Sequence, residues 1–245
     1  MGWPACCASV DRVIGSHVRL RAVLFDAGNT LLFLDYGRMA AAVGAALDLP
    51  LTGPALAAGA PAAARAIEGR TGNDRERATV YLEALFHEAG VPPARMPVVR
   101  EQLARLHRER HLWSGIADDA HDALGRLRRA GLRLGVVSNS DGRVEEALAA
   151  AGLRQYFDVV VDSTLAGVEK PDPAIFRAAL SVLGVPPEEA LYVGDLYEVD
   201  VLGANAAGIP AVLLVPHGAP RPLGCAAIGS LRSLADDLLK ERLAS

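Results

Sequence analysis

The 245 residues are 51% apolar, enough to bury a sizeable core in one large domain or in a core with a modest insertion. A net charge of −4 gives no electrostatic case for nucleic acid or an anionic membrane as partner, and no apolar run reaches membrane-spanning length. Cys6, Cys7 and Cys225 are odd in number and lack ligand spacing, so neither a disulfide framework nor a zinc site follows, and a reducing cytoplasm is the simpler compartment.

Residues 1–17 have neither the basic start nor the apolar run of a signal peptide and are expected to form a disordered lead-in. Leu20–Phe25 is the first of several short Val- and Leu-rich runs that predict buried parallel strands. The others are Leu132–Val137, Val159–Val161, Ala190–Val193 and Ala211–Val215. Between Leu34 and Gly115 the pattern changes to Ala- and Arg-rich helical segments without a convincing strand, broken near Pro50–Pro61 and Val91–Pro97. From Ala117 onward, helical patterns over Ala117–Ala130, Arg143–Ala151, Pro173–Leu183 and Val199–Ala207 alternate with the strands, each closed by a glycine. The expected fold is α/β. Residues 18–33 and 116–245 build a doubly wound, mainly parallel sheet, and residues 34–115 form an inserted all-helical subdomain.

Ligands of such sheets bind beyond the carboxyl ends of the strands. There the sequence places Asp26-Ala27-Gly28-Asn29-Thr30, then Ser138-Asn139, then Lys170-Pro171, then Gly194-Asp195 with Asp200 five residues on. Singly, an Asp after a strand is a turn or cap residue, Ser138 a loop hydroxyl, and Lys170 a solvated charge before a helix start. Together, two acidic strand ends, a hydroxyl and a lysine make a poor structural set. Carboxylates brought close repel one another unless a divalent cation intervenes, and hard oxygen donors suit Mg²⁺. The hydroxyl and the ammonium would then hold phosphate oxygens.

These four motifs, in this order, resemble the haloacid dehalogenase (HAD) superfamily, in the branch with a helical cap inserted after the first motif. The likeness runs over nearly the whole chain from about Leu20. It implies a HAD-like Rossmannoid core and a hydrolase, a phosphatase of a small phosphorylated metabolite. By resemblance, Asp26 is the nucleophile that forms an aspartyl-phosphate, Ser138 binds the transferring group, and Lys170 neutralises charge on it. Asn139 and Thr30 stand at the substrate. Asp26, the Gly28 carbonyl and Asp195 hold Mg²⁺, and Asp200 supports the metal shell.

One position departs from the pattern. Phosphatases of this superfamily usually carry a second Asp two residues after the nucleophile, which protonates the leaving oxygen; here that residue is Gly28. Losing a positioned acid typically costs about 10²–10⁴-fold. The leaving group would then be a good one, such as an acyl or aryl phosphate, or Asp35, Tyr36, Asp141 or Glu198 would stand in. The alternatives are a weakly active or non-catalytic ligand-binding protein of the same fold and a 2-haloacid dehalogenase. Relatives that cleave phosphonates need a cap lysine, and residues 34–115 contain none. His107 and His111, four apart, are expected on a solvated helix face; Trp113 is expected to anchor packing, and His217 to sit in a turn. Nothing in the sequence sets an oligomeric state.

Overall fold

The computed structural model describes residues 19–67, 74–215 and 225–243; the expected lead-in over 1–17 and the turn at His217 lie outside the described residues. The chain divides into two compact units, one built from the residues up to Phe33 and from Ile116 onward, the other from Leu34–Gly115. The strands are β1 (Ala22–Phe25), β2 (Leu32–Leu34), β3 (Trp113–Ile116), β4 (Arg133–Ser138), β5 (Val159–Asp162), β6 (Ala190–Gly194), β7 (Ala211–Leu214) and β8 (Ala227–Ile228). Six of them form one sheet in the order β5-β4-β1-β6-β7-β8, parallel throughout. Every residue of β1 and β6 is buried. That explains why these segments read as unbroken apolar runs: a strand covered on both faces has no polar side to present. Phe25 is in register with Val136 of β4 and Val193 of β6, so Asp26 emerges level with the ends of both neighbours.

The helical unit holds α1 (Tyr36–Leu47), α2 (Gly53–Ile67), α3 (Asp74–Glu88) and α4 (Met96–Glu109). Asp35 caps α1 by accepting from the Arg38 N–H at 3.0 Å, and it pairs with Arg110 at 2.9 Å. Met39, Val43, Leu56, Leu85, Phe86, Val99, Leu103 and Leu106 make the core of this unit. Two expectations need correction. The break near Pro50–Pro61 ends earlier, because α2 runs through Pro61: a proline removes one helix donor, but the buried Leu56 and Ala63 on either side hold the helix against its neighbours. Secondly, Trp113–Ile116 is a strand, not part of a strand-free insert. It pairs with β2 as a separate two-stranded sheet where the chain passes between units, and segments this short carry no readable periodicity.

The larger unit adds α5 (Ala120–Arg129), α6 (Val144–Ala150), α7 (Ser163–Ala166), α8 (Pro173–Leu183), α9 (Leu202–Ala206) and α10 (Leu231–Leu243). Helix α8 shows the local logic. Asp172 accepts from the Ala174 N–H at 2.8 Å, Pro173 opens the helix, and Gly184 closes it with φ 61°. Its buried stripe of Ile175, Phe176, Ala179, Leu180 and Leu183 packs in the sheet core with Leu24 and Tyr192. Each large side chain so buried contributes roughly 1.5–3 kcal/mol. The helix expected over Val199–Ala207 instead begins as a π-helical turn, Tyr197–Val201, before α9. The turn is wide because the Leu202 N–H reaches back five residues to the Tyr197 carbonyl, and Asp200 pins its start: its N–H donates to the Leu196 carbonyl at 2.7 Å, while its carboxylate accepts from the Leu196 N–H at 2.9 Å. Strand β8 and helix α10 continue the fold past the last run picked out by apolar patterning, with Arg126 of α5 paired to Asp236 of α10 at 2.6 Å. Among the described residues no helix is long and apolar enough to cross a membrane.

Asp162, at the end of β5, gathers the neighbouring loops. Its buried carboxylate accepts from the N–H groups of Gly142 (3.0 Å), Val144 (3.3 Å) and Thr164 (3.0 Å). Asp162→Ala leaves these donors without their partner, and a urea melt is expected to record a loss of ~2–3 kcal/mol.

Candidate active site

Three adjacent strands of the sheet and the loop before α8 bring the candidate side chains together. Asp26 follows β1, and its N–H donates to the Val193 carbonyl at 2.8 Å, fixing it beside the end of β6. The loop after it is tight. Leu31 and Leu32 both donate to the Ala27 carbonyl, and Asn29 donates to Leu32 at 2.7 Å. Asn29 has φ 54°, a left-handed conformation that Asn tolerates better than most residues, and its side chain hydrogen-bonds Asp195.

Lys170 reaches this point from the loop before α8. Its ammonium is buried and donates to Asp26 Oδ1 at 2.6 Å, Asp200 Oδ1 at 2.7 Å and the Tyr192 hydroxyl at 3.0 Å. Asn139 sets the backbone from which that side chain starts: its amide donates to the Lys170 carbonyl at 3.0 Å and accepts from the Lys170 N–H at 2.7 Å. Asp200, at 1% exposure, is committed at both oxygens, Oδ1 to Lys170 and Oδ2 to the Leu196 N–H. Gly194 is required beside it. A Cβ at that position would lie 2.5 Å from Oδ2 and 2.6 Å from Cβ of Asp200.

The electrostatics follow from burial. Desolvation raises the Asp26 carboxyl to about 6, against the pull of Lys170 and with a further push from Asp200. Asp195, half-buried, is driven well above the carboxylate range by burial and then by Asp26 and Asp200. Burial alone would lower the Lys170 ammonium, but Asp200 and Asp26 outweigh it and hold the amine charged. Carboxylate oxygens of Asp26, Asp195 and Asp200 lie within 4.8 Å of one another. Three carboxylates against one ammonium leave two formal negative charges, and this donor set fits a hard divalent cation.

The strand-end residues singled out from sequence thus meet, with distinctions. Asp26, Lys170, Asp195 and Asp200 form one cluster. Ser138 is buried at the end of β4, and its hydroxyl makes a long contact, 3.5 Å to the Asn139 carbonyl. Asn139, expected at the substrate, spends its amide on the Lys170 backbone. Thr30 is fully buried, and its Oγ1 has no hydrogen-bond partner among the described residues. Gly28 bridges to Leu32 and brings no side chain. Of the residues considered as substitute acids, Asp35 is a helix cap paired with Arg110, Tyr36 packs against the helical core, and Asp141 and Glu198 are exposed. His107 and His111 are half-buried, not on a solvated face. Their rings lie 4.5 Å apart, and His107 Nδ1 accepts from the Leu112 N–H at 3.3 Å. Trp113 packs against the helical core as expected. Sequence reasoning passed over Asn29, Asp162 and Tyr192. For Tyr192 a signal existed, a hydroxyl inside the otherwise apolar run Ala190–Val193.

A parallel α/β sheet with an acidic cluster and a buried lysine at its carboxyl edge defines a class of hydrolase-like proteins, and comparison with known proteins gives the family. The model of the haloacid dehalogenase-like hydrolases matches residues 20–208. The chain belongs to the haloacid dehalogenase-like hydrolase family. It is 41% identical over 139 residues to the human haloacid dehalogenase-like hydrolase domain-containing protein 3, covering 56% of this chain and 55% of that protein. It is also 41% identical over 148 residues to a phosphoserine phosphatase of Thermus thermophilus, covering 60% of this chain and 57% of the relative. The match therefore spans little more than half the length of these relatives. Among solved structures, a HAD phosphatase from Thermococcus onnurineus superposes with a TM-score of 0.58 at 26% identity, covering 89% of this chain and 98% of that one.

Gly194→Ala tests the packing of the cluster directly. The added methyl must displace the Asp200 carboxylate and with it the Lys170 ammonium, so a loss of about 1–3 kcal/mol in stability is expected. Turnover should fall by roughly 10²-fold if any activity depends on this geometry. Circular dichroism with urea titration and steady-state rates measure the two effects.

Proposed function

We propose that the chain is a Mg²⁺-dependent phosphatase of a small phosphorylated metabolite, with Asp26 as nucleophile. The observation that carries this reading is the buried Lys170 ammonium, 2.6 Å from Oδ1 of Asp26 at the sheet edge where Asp195 follows the neighbouring strand. A carboxylate oxygen of Asp26 bonds to phosphorus while the bond from phosphorus to the leaving oxygen breaks, giving an aspartyl-phosphate. Water then cleaves that mixed anhydride, releasing inorganic phosphate and restoring the carboxylate. Lys170 keeps Asp26 ionised and oriented, and the Ser138 hydroxyl, held among the described residues by one long contact, serves a phosphoryl oxygen. Asp26, Asp195 and the Gly28 carbonyl would hold the metal with Asp200 behind them. When bound, Mg²⁺ supplies positive charge that offsets both the clustered carboxylates and the phosphoryl oxygens. The phosphatase name of the Thermus relative supports a phosphorylated substrate. We read the helical unit, Leu34–Gly115, as a cap that sets substrate choice.

Gly28 brings no proton to the leaving oxygen, so the favoured substrates are acyl or aryl phosphates, whose leaving groups depart unprotonated. Asp26→Asn is expected to abolish release of nitrophenol from an aryl phosphate while the folded protein keeps its circular dichroism spectrum. EDTA should remove the same activity and added Mg²⁺ restore it. Unaltered rates in Asp26→Asn would sink the nucleophile assignment, and a metal-insensitive release of halide from a 2-haloacid would replace the phosphatase by a dehalogenase.

Gly28 is not among the residues with left-handed backbone, so a side chain there meets no φ penalty. Gly28→Asp is expected to raise kcat/KM on an alkyl phosphate by about 10²-fold or more relative to an aryl phosphate. An equal change on both substrates would refute the role given to the missing acid.

A further inference from the structure

The cluster contains one polar group that no role above uses. Tyr192 lies in β6 with its ring fully buried, edge-on to Phe176 at 5.0 Å between centroids. Its hydroxyl sits 3.0 Å from the Lys170 ammonium, 3.1 Å from Asp200 Oδ1 and 3.0 Å from the Val137 carbonyl. An ammonium has three N–H donors and no acceptor. Two of the three go to the carboxylates of Asp26 and Asp200, and the third goes to Tyr192. A phenol has one O–H to donate, here to the Val137 carbonyl or to Asp200, while its oxygen accepts from a lysine N–H. The hydroxyl thereby ties the lysine to the strand that ends in Ser138 and to the carboxylate on the π-helical turn.

We propose that Tyr192 is a positioning residue whose hydroxyl accepts the third N–H of Lys170 and so fixes the ammonium on Oδ1 of Asp26. The proposal rests on the phosphatase reading for its kinetic consequence, but its geometric consequence stands apart from any turnover. A neutral acceptor suits this place. A third carboxylate would deepen the negative charge of the cluster, and an apolar residue would leave a buried N–H without a partner, which draws the ammonium away from Asp26. Because Tyr192 acts behind Lys170 and not on the substrate, its loss should slow the chemical step and leave substrate binding nearly unchanged.

The chain has two lysines, Lys170 and Lys240, of which Lys240 is exposed. Selective ¹⁵N-lysine labelling therefore reports the buried ammonium without assignment ambiguity. In Tyr192→Phe the ring contact with Phe176 is kept and only the oxygen is removed. The expected result is a shifted Lys170 ammonium signal with hydrogen exchange accelerated about tenfold or more, a kcat on an aryl phosphate lowered about tenfold, and KM within about twofold of the parent. Phe176→Leu, which loosens the same ring packing but leaves the hydroxyl, should lower the melting temperature and leave both the Lys170 signal and kcat in place. If Tyr192→Phe does not fold, a single 3-fluorotyrosine at position 192 weakens the oxygen as an acceptor within the intact shape and must still move the Lys170 signal. An unmoved Lys170 signal in the Tyr192 variant overturns the proposal, as does an equal kcat loss in Phe176→Leu. A parent protein that hydrolyses no phosphate, yet shows the Lys170 shift on removal of the hydroxyl, would overturn the phosphatase reading and leave the positioning role standing.

Discussion

A lysine ammonium buried between Asp26 and Asp200 is the constraint from which the architecture of the site follows. Removing such a charge from water is costly, and two carboxylates at 2.6 and 2.7 Å repay it only while all three groups keep their places. Breaking a buried pair by removing one partner typically costs about 3–5 kcal/mol, because the remaining charge is stranded. The backbone around the lysine is correspondingly fixed. Asn139 holds both the N–H and the carbonyl of Lys170, so the side chain starts from a set point. On the far side, the π-helical turn folds Asp200 back onto the Leu196 N–H, and Gly194 leaves room for it. The parallel register of β1 with β4 and β6 brings these loops to one edge.

This arrangement also divides the acidic residues by task. Asp200 has both oxygens engaged inside the protein, which makes it a support and leaves it little to offer a ligand. Asp195 is half-buried, is touched by Asn29, and is pushed upward by burial and then by Asp26 and Asp200. Asp26 is intermediate, with one oxygen held by the lysine. Carboxylate oxygens within 4.8 Å of one another repel as anions, and positive charge added beside Lys170 would relieve that repulsion. The ordering of the three follows from hydrogen bonding and burial.

The sheet was legible in the sequence because each central strand is buried on both faces and so reads as an apolar run ending in a polar residue, as at Phe25-Asp26 and Val193-Gly194-Asp195. Helix α8 was legible to the residue, since Asp172, Pro173 and Gly184 mark both ends chemically. What escaped lacked such a mark. Strands β2 and β3 are too short to show a period, and the proline in α2 outweighed, on paper, a packing contribution that only the folded unit supplies. Within the site, residue types could be gathered from the strand ends, but the direction of a side chain could not. Asn139 faces the Lys170 backbone, Thr30 is sealed in the core, and Tyr192 reaches the cluster from inside a strand. These three depend on rotamers and register, which no local pattern encodes.

The missing acid at Gly28 is best understood by asking which groups of the cluster could replace it. The lysine cannot, because its protons are committed to Asp26, Asp200 and Tyr192, and the two carboxylates hold it charged. The Tyr192 hydroxyl cannot, because it is wholly buried and burial raises it far above the range in which a phenol gives up its proton. Asp200 is spent on the same network. The cluster therefore retains charge stabilisation and positioning, while none of these three groups supplies a free proton. On the phosphatase reading proposed above, phosphoryl transfer draws most of its acceleration from the first two and an acid contributes about 10²–10⁴-fold, so the absence would change which substrates react more than whether any does. On that reading, selection would fall on the basicity of the leaving oxygen: an acyl or aryl oxygen departs as the anion, whereas an alkoxide needs the proton that glycine does not supply.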